Sequence, residues 1–245
     1  MKYIYFLFII FISFSCKQEK LSETAQNIVD KAIDNACNGH CENTMIDFTF
    51  RDRCYVSTRK GSNYKFERIT HDSTGVTRDI LSNKGFQRYK NDTLIPIIDS
   101  MAVKYGNSVN SVHYFAQLPY GLNDNAVIKE LLGEATIKNE EYYEIGVHFK
   151  EEGGGTDFDD TFVYWIHKEH YTVDYLAYQY AVNGGGIRFR EAYNVRDVNG
   201  IRFVDYNNYK PETLEVSLTE LDELFEKGNL KLLSKIENEG VGVSY

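Results

Sequence analysis

The sequence predicts an α+β protein, a largely antiparallel meander with one helix before it and another after it. Three observations predict this class. Tyr and Phe number 19 and 15 while Pro numbers 3, a composition that suits pleated strands better than helix bundles. Segments of two-residue periodicity follow one another directly, instead of alternating with helices as a parallel sheet requires. Clear helical periodicity is confined to stretches near the two ends.

The first element is "LSETAQNIVDKAIDNAC". Leu21, Ala25, Ile28, Val29, Ala32, Ile33 and Ala36 fall on one stripe of an amphipathic helix, with Ser22 as its cap and Gly39 as its stop. The period then changes. In "IDFTFRDRCYVSTR", Ile46, Phe48, Phe50, Cys54 and Val56 alternate with Asp47, Thr49, Arg51, Arg53 and Ser57, which predicts one half-buried strand. "NYKFERI", "VTRDILS" and "GFQRYK" read as further strands. "PIIDSMAVKYG" and "NDNAVIKELLG" read as helical or irregular, with "VHYFAQL" between them. Five strands follow in succession: "YYEIGVHF", "TFVYWIHK", "YTVDYLAYQYAV", "GIRFREAYNV" and "IRFVDYNNY". Near the end "LTELDELFEKG" has Thr219 and Asp222 at capping-box spacing and Gly228 as its stop, and "LKLLSKIENE" reads as a further helical segment. No linker or low-complexity tract interrupts residues 21–245, which predicts one domain.

The N-terminus carries a targeting signal. Lys2 precedes the apolar run "YIYFLFIIFISF" from Tyr3 to Phe14, too short to span a bilayer, which takes about 20 residues. It reads as a signal peptide over residues 1–15. "SFSC" resembles a lipobox: Ser15 fits, whereas Ser13 stands where Leu is usual and Phe14 is bulky. The resemblance implies cleavage before Cys16, acylation of that cysteine with palmitate, and a polar tether over residues 16–20. The membrane is then a partner through the lipid anchor. "KQEK" lacks an acidic cluster after Cys16, which favours the periplasmic face of the outer membrane; an ordinary secreted protein is the alternative. An oxidising envelope permits disulfides. Cys37 and Cys41 of "CNGHC" could close a small loop, and the odd count with Cys54 leaves a thiol over. A metal reading of Cys37, His40 and Cys41 lacks a fourth ligand and zinc spacing.

Two triple-glycine stretches, "EEGGGTDFDD" and "NGGGIRFRE", are the most conspicuous local motifs. Neither opens a helix and no GK[ST] exists, so a phosphate cradle is excluded. They read first as hairpin turns. In a regular meander both fall at one sheet end, where Asp157, Asp159 and Asp160 would form a charged rim with Arg188 and Arg190, fixed by Arg–carboxylate pairing. A weak calcium site using Glu151 and Glu152 as well is the remaining alternative; no other cofactor is expected. A net charge of −9 without a long basic run argues against nucleic acid. No GxSxG or HExxH motif appears, and His113, His148, His167 and His170 are scattered, so the reading is non-enzymatic. The aromatic strands holding Phe162, Tyr164, Trp165, Tyr175, Tyr178 and Tyr180 would pack across a sheet, stack on sugars or line an apolar cleft.

"FVYWIHKEHYTVDYLAY" and "RDVNGIRFVDYNNYKP", with the N-terminal helix and the consecutive sheet, resemble the LolA/LolB-like lipoprotein-sorting carriers. His167 departs from the Asp common at its place. More closely, "RDRCY", "EEGGGTDFDD", "NGGGIRFRE" and "NGIRFVDYNNYKP" resemble an uncharacterised family of Bacteroidota envelope lipoproteins over nearly the whole mature chain. The carrier resemblance implies a curved half barrel with helices plugging its open side. It also implies a cavity that binds or passes on a lipid or acyl chain; the strand face of Ile46, Phe48 and Phe50 and the aromatic-strand residues Tyr164, Trp165 and Tyr175 are its expected lining. A sugar-facing or cation-dependent accessory or degradative protein, and a purely structural envelope subunit with a filled core, are the competing readings.

Overall fold

A computed structural model of the chain describes residues 23–152, 159–181 and 184–245. Cys16, Ser22 and Asp157 lie outside the described residues. Helix α1 (Ala25–Cys37) comes first, followed by strands β1 (Met45–Phe50), β2 (Arg53–Lys60), β3 (Asn63–Asp72), β4 (Gly75–Ser82), β5 (Gly85–Lys90) and β6 (Thr93–Ile95). Helix α2 (Asp99–Ala116) leads to β7 (Val127–Ile137), β8 (Glu140–Phe149), β9 (Thr161–His167), β10 (Val173–Tyr180), β11 (Gly186–Val198) and β12 (Ile201–Lys210). The short helix α3 (Leu221–Glu226) precedes β13 (Lys231–Ile236) and β14 (Asn238–Ser244).

The strands form two seven-stranded antiparallel sheets, ordered β14-β1-β2-β3-β4-β5-β6 and β13-β12-β11-β10-β9-β8-β7. Only Glu237 separates β13 from β14, so the sheets meet along this C-terminal stretch and curve together as one unclosed surface. Two-residue turns tie many neighbours. At the β11–β12 turn Asn199 and Gly200 have φ of 52° and 86°, the double positive φ that a right-twisted hairpin favours.

Helices α1 and α2 occupy the concavity, whereas the C-terminal helix α3 packs on the outside of the second sheet. α1 buries Ile28, Val29 and Ala32 against Ile145, Tyr164, Ile166 and Leu176 of the second sheet. Its first turn is capped by Thr24, whose hydroxyl accepts from the Asn27 amide, a bond that serves an otherwise orphaned helix donor. α2 packs on β3, β4 and β5. Gly106 is buried at that contact and faces Leu81 and Phe86. The second sheet is covered outside too: Tyr142, Val163, Trp165, Tyr175 and Phe189 pack with Leu218 and Leu221.

The structure corrects several sequence expectations. The segment 46–59 is a hairpin: Arg51, at φ 58°, begins a turn that restarts the alternation, so Tyr55 and Ser57 face inward while Cys54 is exposed. "NDNAVIKELLG" is not helical. Its Ala, Glu, Lys and Leu carry helix propensity, but β8 offers a ladder from Val127↔Phe149 to Ile137↔Glu140, and the tertiary partner wins. "LKLLSKIENE" is likewise extended, paired to β12 and β1. The α1 cap is Thr24 rather than Ser22. The capping box is Ser217/Glu220 rather than Thr219/Asp222, opening a 3₁₀ turn at Leu218–Glu220. Cys37 and Cys41 are disulfide-bonded with Cα atoms 5.2 Å apart, and Cys54 is free.

Candidate functional site

Between α2 and the inner face of the second sheet lies a cavity of about 600 Å³, within the range of small-molecule sites, roughly 300–1,000 Å³. The two-residue strand period builds its sheet wall. Phe149, Phe162, Tyr178 and Tyr180 come from β8, β9 and β10. Tyr206 and Asn208 of β12 continue the wall, and Ser234 and Ile236 of β13 complete it. The roof is α2, which presents Val112, Tyr114 and Phe115, with Asn107, Asn110 and Ser111 along its flank. Phe115 lies 5.3 Å from Tyr178, ring centre to ring centre, so roof and wall are in aromatic contact.

The charged centre of the wall is Arg190 on β11, only 7% exposed. Its guanidinium sits 3.9 Å from the Phe115 ring centre and donates from Nη2 to the Tyr178 hydroxyl at 2.8 Å. Nε is buried without an acceptor among the described residues, and so is Oδ1 of Asn208, which lacks a donor. Tyr114 and Tyr164 share a hydroxyl–hydroxyl bond of 2.6 Å behind the roof, and burial pushes the Tyr164 phenol well above its ordinary range. Asp124 and Asp160 also line the cavity; burial raises the Asp124 carboxyl, opposed by Arg59 and Lys129.

The residues singled out from sequence are distributed as follows. Phe50 lines the cavity, beside Arg51. Ile46 and Phe48 lie in a core with Tyr55, Phe203 and the disulfide, and do not reach the cavity. Tyr164 faces inward but is covered by Tyr114. Trp165 and Tyr175 face the outer side, because neighbouring residues of a strand point to opposite faces. There Trp165 Nε1 donates to Glu144 at 3.1 Å, and Tyr175 packs on Phe225. Asp160 and Arg190 line the cavity, Asp159 is exposed, and Arg188 donates to the Tyr180 hydroxyl at 2.7 Å. The expected ion pairs of Arg188 and Arg190 with a carboxylate are not made with any described residue; tyrosine hydroxyls take that place. Tyr114, Phe115 and Asn208 escaped the sequence reading. "PIIDSMAVKYG" and "VHYFAQL" read as separate segments, whereas α2 runs through both and carries Tyr114 and Phe115 on one helix. Among the described residues no three His, Cys, Asp or Glu side chains are grouped to hold a metal ion, and no helix is long and apolar enough to cross a membrane.

Fold and cavity together define an α+β half barrel with an internal pocket, a class set by architecture and not by a reaction. The chain belongs to DUF6503, a family of unknown function, whose match covers residues 2–238. Its architecture is similar to the crystal structure of a DUF1329 family protein from Desulfovibrio piger ATCC 29098. The TM-score is 0.55 and the identity 10%, over 89% of this chain and 92% of that one. It is also similar to the LolA superfamily protein NE2245 from Nitrosomonas europaea, with a TM-score of 0.49 and 13% identity over 91% and 93% of the two chains. At such identities the likeness concerns the fold alone. No curated protein matches the sequence.

Proposed function

We propose that this protein is an envelope lipoprotein that holds an apolar ligand, a lipid or acyl chain, in the cavity beneath α2 and performs no reaction on it. The observation that carries the reading is the cavity itself, about 600 Å³ between a helix and a curved sheet, with an aromatic wall and roof. Burial of each methylene contributes about 0.8 kcal/mol, so a chain lying along Phe115, Phe149 and Phe162 gains affinity with length. Anchoring rests on the apolar leader ending at Phe14 and on Cys16 immediately after Ser15.

The test is displacement of a fluorescent apolar probe from the mature chain by n-alkyl ligands of increasing length. Each two-carbon extension is expected to tighten binding about tenfold until the cavity is filled. Affinity independent of chain length, or displacement by soluble sugars instead, would overturn the reading. Metabolic labelling with a palmitate analogue checks the anchor: the wild-type protein takes up label and Cys16→Ala does not.

A further inference from the structure

We propose that the ligand is a single-chain amphiphile with an anionic head, carboxylate or phosphate, and that Arg190 binds that head. This rests on the apolar-ligand reading above and specifies its chemistry.

A buried arginine needs a counter-charge and acceptors for its donors. Its guanidinium stays protonated, carries five N–H donors and cannot shed its charge. Burial without a counter-charge is costly. Arg68, also buried at 7% exposure, meets this need with the Asp79 carboxylate at 2.7 Å and the Ser108 hydroxyl at 2.8 Å. Among the described residues Arg190 has one hydrogen bond, to Tyr178, and the faces of Phe115 and Tyr178. Among the same described residues no carboxylate pairs with it and its Nε has no acceptor. An aromatic ring attracts a cation but accepts no in-plane hydrogen bond. The rings above and the Tyr178 hydroxyl hold the guanidinium fork in place and leave donors unfilled at the cavity wall. A fork fixed in this way matches the oxygens of a carboxylate or phosphate.

A second observation points to the same spot. Asn208 is the direct cross-strand partner of Arg190. Its Nδ2 donates to Ser234 Oγ at 3.3 Å, while its Oδ1 is buried and unsatisfied. A cationic donor and an amide oxygen lacking a donor among the described residues therefore stand side by side on adjacent strands, both residues lining the cavity. Rotating the amide end for end offers an N–H in place of the oxygen, so the pair serves either a fully ionised head or one that keeps an O–H.

The cavity's own acids sit elsewhere on its wall. Tyr164 is in register with Leu176, and Leu176 with Arg190. Asp160, just before β9, is four residues along from Tyr164, a strand distance of roughly 13 Å. Asp124 precedes β7, four strands from β11. The aromatic groups between these positions provide the apolar path: with the head at Arg190, the chain runs against Phe115 and Phe162.

Binding of hexadecanoate, hexadecyl phosphate and hexadecan-1-ol to the mature chain, measured by calorimetry, tests the assignment. A charge-assisted bond to a buried group predicts that at least one anion binds about 30-fold more tightly than the alcohol, and the preferred anion identifies the head. Arg190→Gln is expected to bring the anions down to the affinity that the same variant shows for the alcohol, and retained binding of the alcohol shows that the pocket is still formed. Arg190→Lys should recover part of the preference. Equal binding of alcohol and anions, or an anion preference that survives in Arg190→Gln, overturns the head-group assignment and leaves the apolar-ligand reading standing. Failure of all three ligands overturns both.

Discussion

The two sheets have equal numbers of strands and bury themselves by different means. The second is apolar on both faces: α1 and the roof cover the inside, and the segment from Leu218 to Phe225 covers the outside. Strand β9 shows this most clearly, with six consecutive buried residues from Phe162 to His167. The first sheet has its helix on one side only, and much of what it buries is polar. Asp79 accepts from Arg68 at 2.7 Å and from Arg88 at 2.6 Å, and Arg88 lies over Tyr105 of α2. Burial alone would push the Asp79 carboxyl up, but the two guanidinium groups hold it below its ordinary range. Apolar packing is non-directional, whereas these bonds fix a register. The roof of the cavity is therefore positioned by one sheet's charges and lined against the other sheet's rings.

That contrast can be broken or sharpened by substitution. The largest effect is expected from Trp165→Ala in the doubly covered sheet. It removes a fully buried indole and the donor to Glu144, and should cost about 4 kcal/mol in denaturant unfolding. A loss below that of Asp79→Ala would reverse the ranking of the two sheets. Asp79→Ala leaves two guanidinium groups without their counter-charge and should cost about 3 kcal/mol. Hydrogen exchange is expected to speed up in β3–β5 and α2 while β8–β12 keep their protection; uniform acceleration would show that the sheets do not act separately.

Acid should act on the first sheet as well. His113 of α2 is fully buried among Phe48, Tyr55 and Phe66. Nε2 donates to the Glu67 carbonyl and Nδ1 accepts from Gln117, in the tautomer these partners assign. Burial, with Arg59 nearby, lowers its pKa from 6.5 to about 4. Between those values the unfolded chain binds the proton and the folded chain does not, so stability falls as pH drops through that window. The loss from pH 7 to pH 5 should be about 2 kcal/mol, and His113→Gln should flatten that part of the profile. The smallest effect belongs to Thr24→Ala, which removes the α1 cap and should cost about 1 kcal/mol, seen as faster exchange in the first turn of α1.

The strands were legible wherever alternation and a glycine turn coincided, as from Tyr142 to Tyr209. They were not legible where partner strands overrode local preference. Val127 to Ile137 and Lys231 to Ile236 are extended because neighbours supply hydrogen bonds, information absent from either segment. The aromatic strands were visible, but which side faces the cavity depends on parity within the folded sheet. Tyr164 and Trp165 are adjacent in sequence and on opposite sides of it. The roof was not legible because "PIIDSMAVKYG" read as helical or irregular and "VHYFAQL" as a separate segment, whereas both belong to the one helix α2. Arg190 was visible as a charge near a hairpin; its burial was not, because nothing in "GIRFRE" distinguishes a rim arginine from an inward one.

The C-terminal stretch carries a consequence for how the chain reaches its final form. Strands β1 to β6 and β7 to β13 each pair within their own half, and among the described residues β14 alone ties a late segment to the earliest strand. Asp205 fastens the crossing point by accepting from the Asn238 amide and from Arg196. A chain emerging amino end first, as every chain leaves the ribosome, can assemble most of each half in turn. It cannot join them through main-chain bonds until β14 is released, so a nascent molecule stalled shortly before Asn238 would present two unjoined edges to any waiting chaperone or protease.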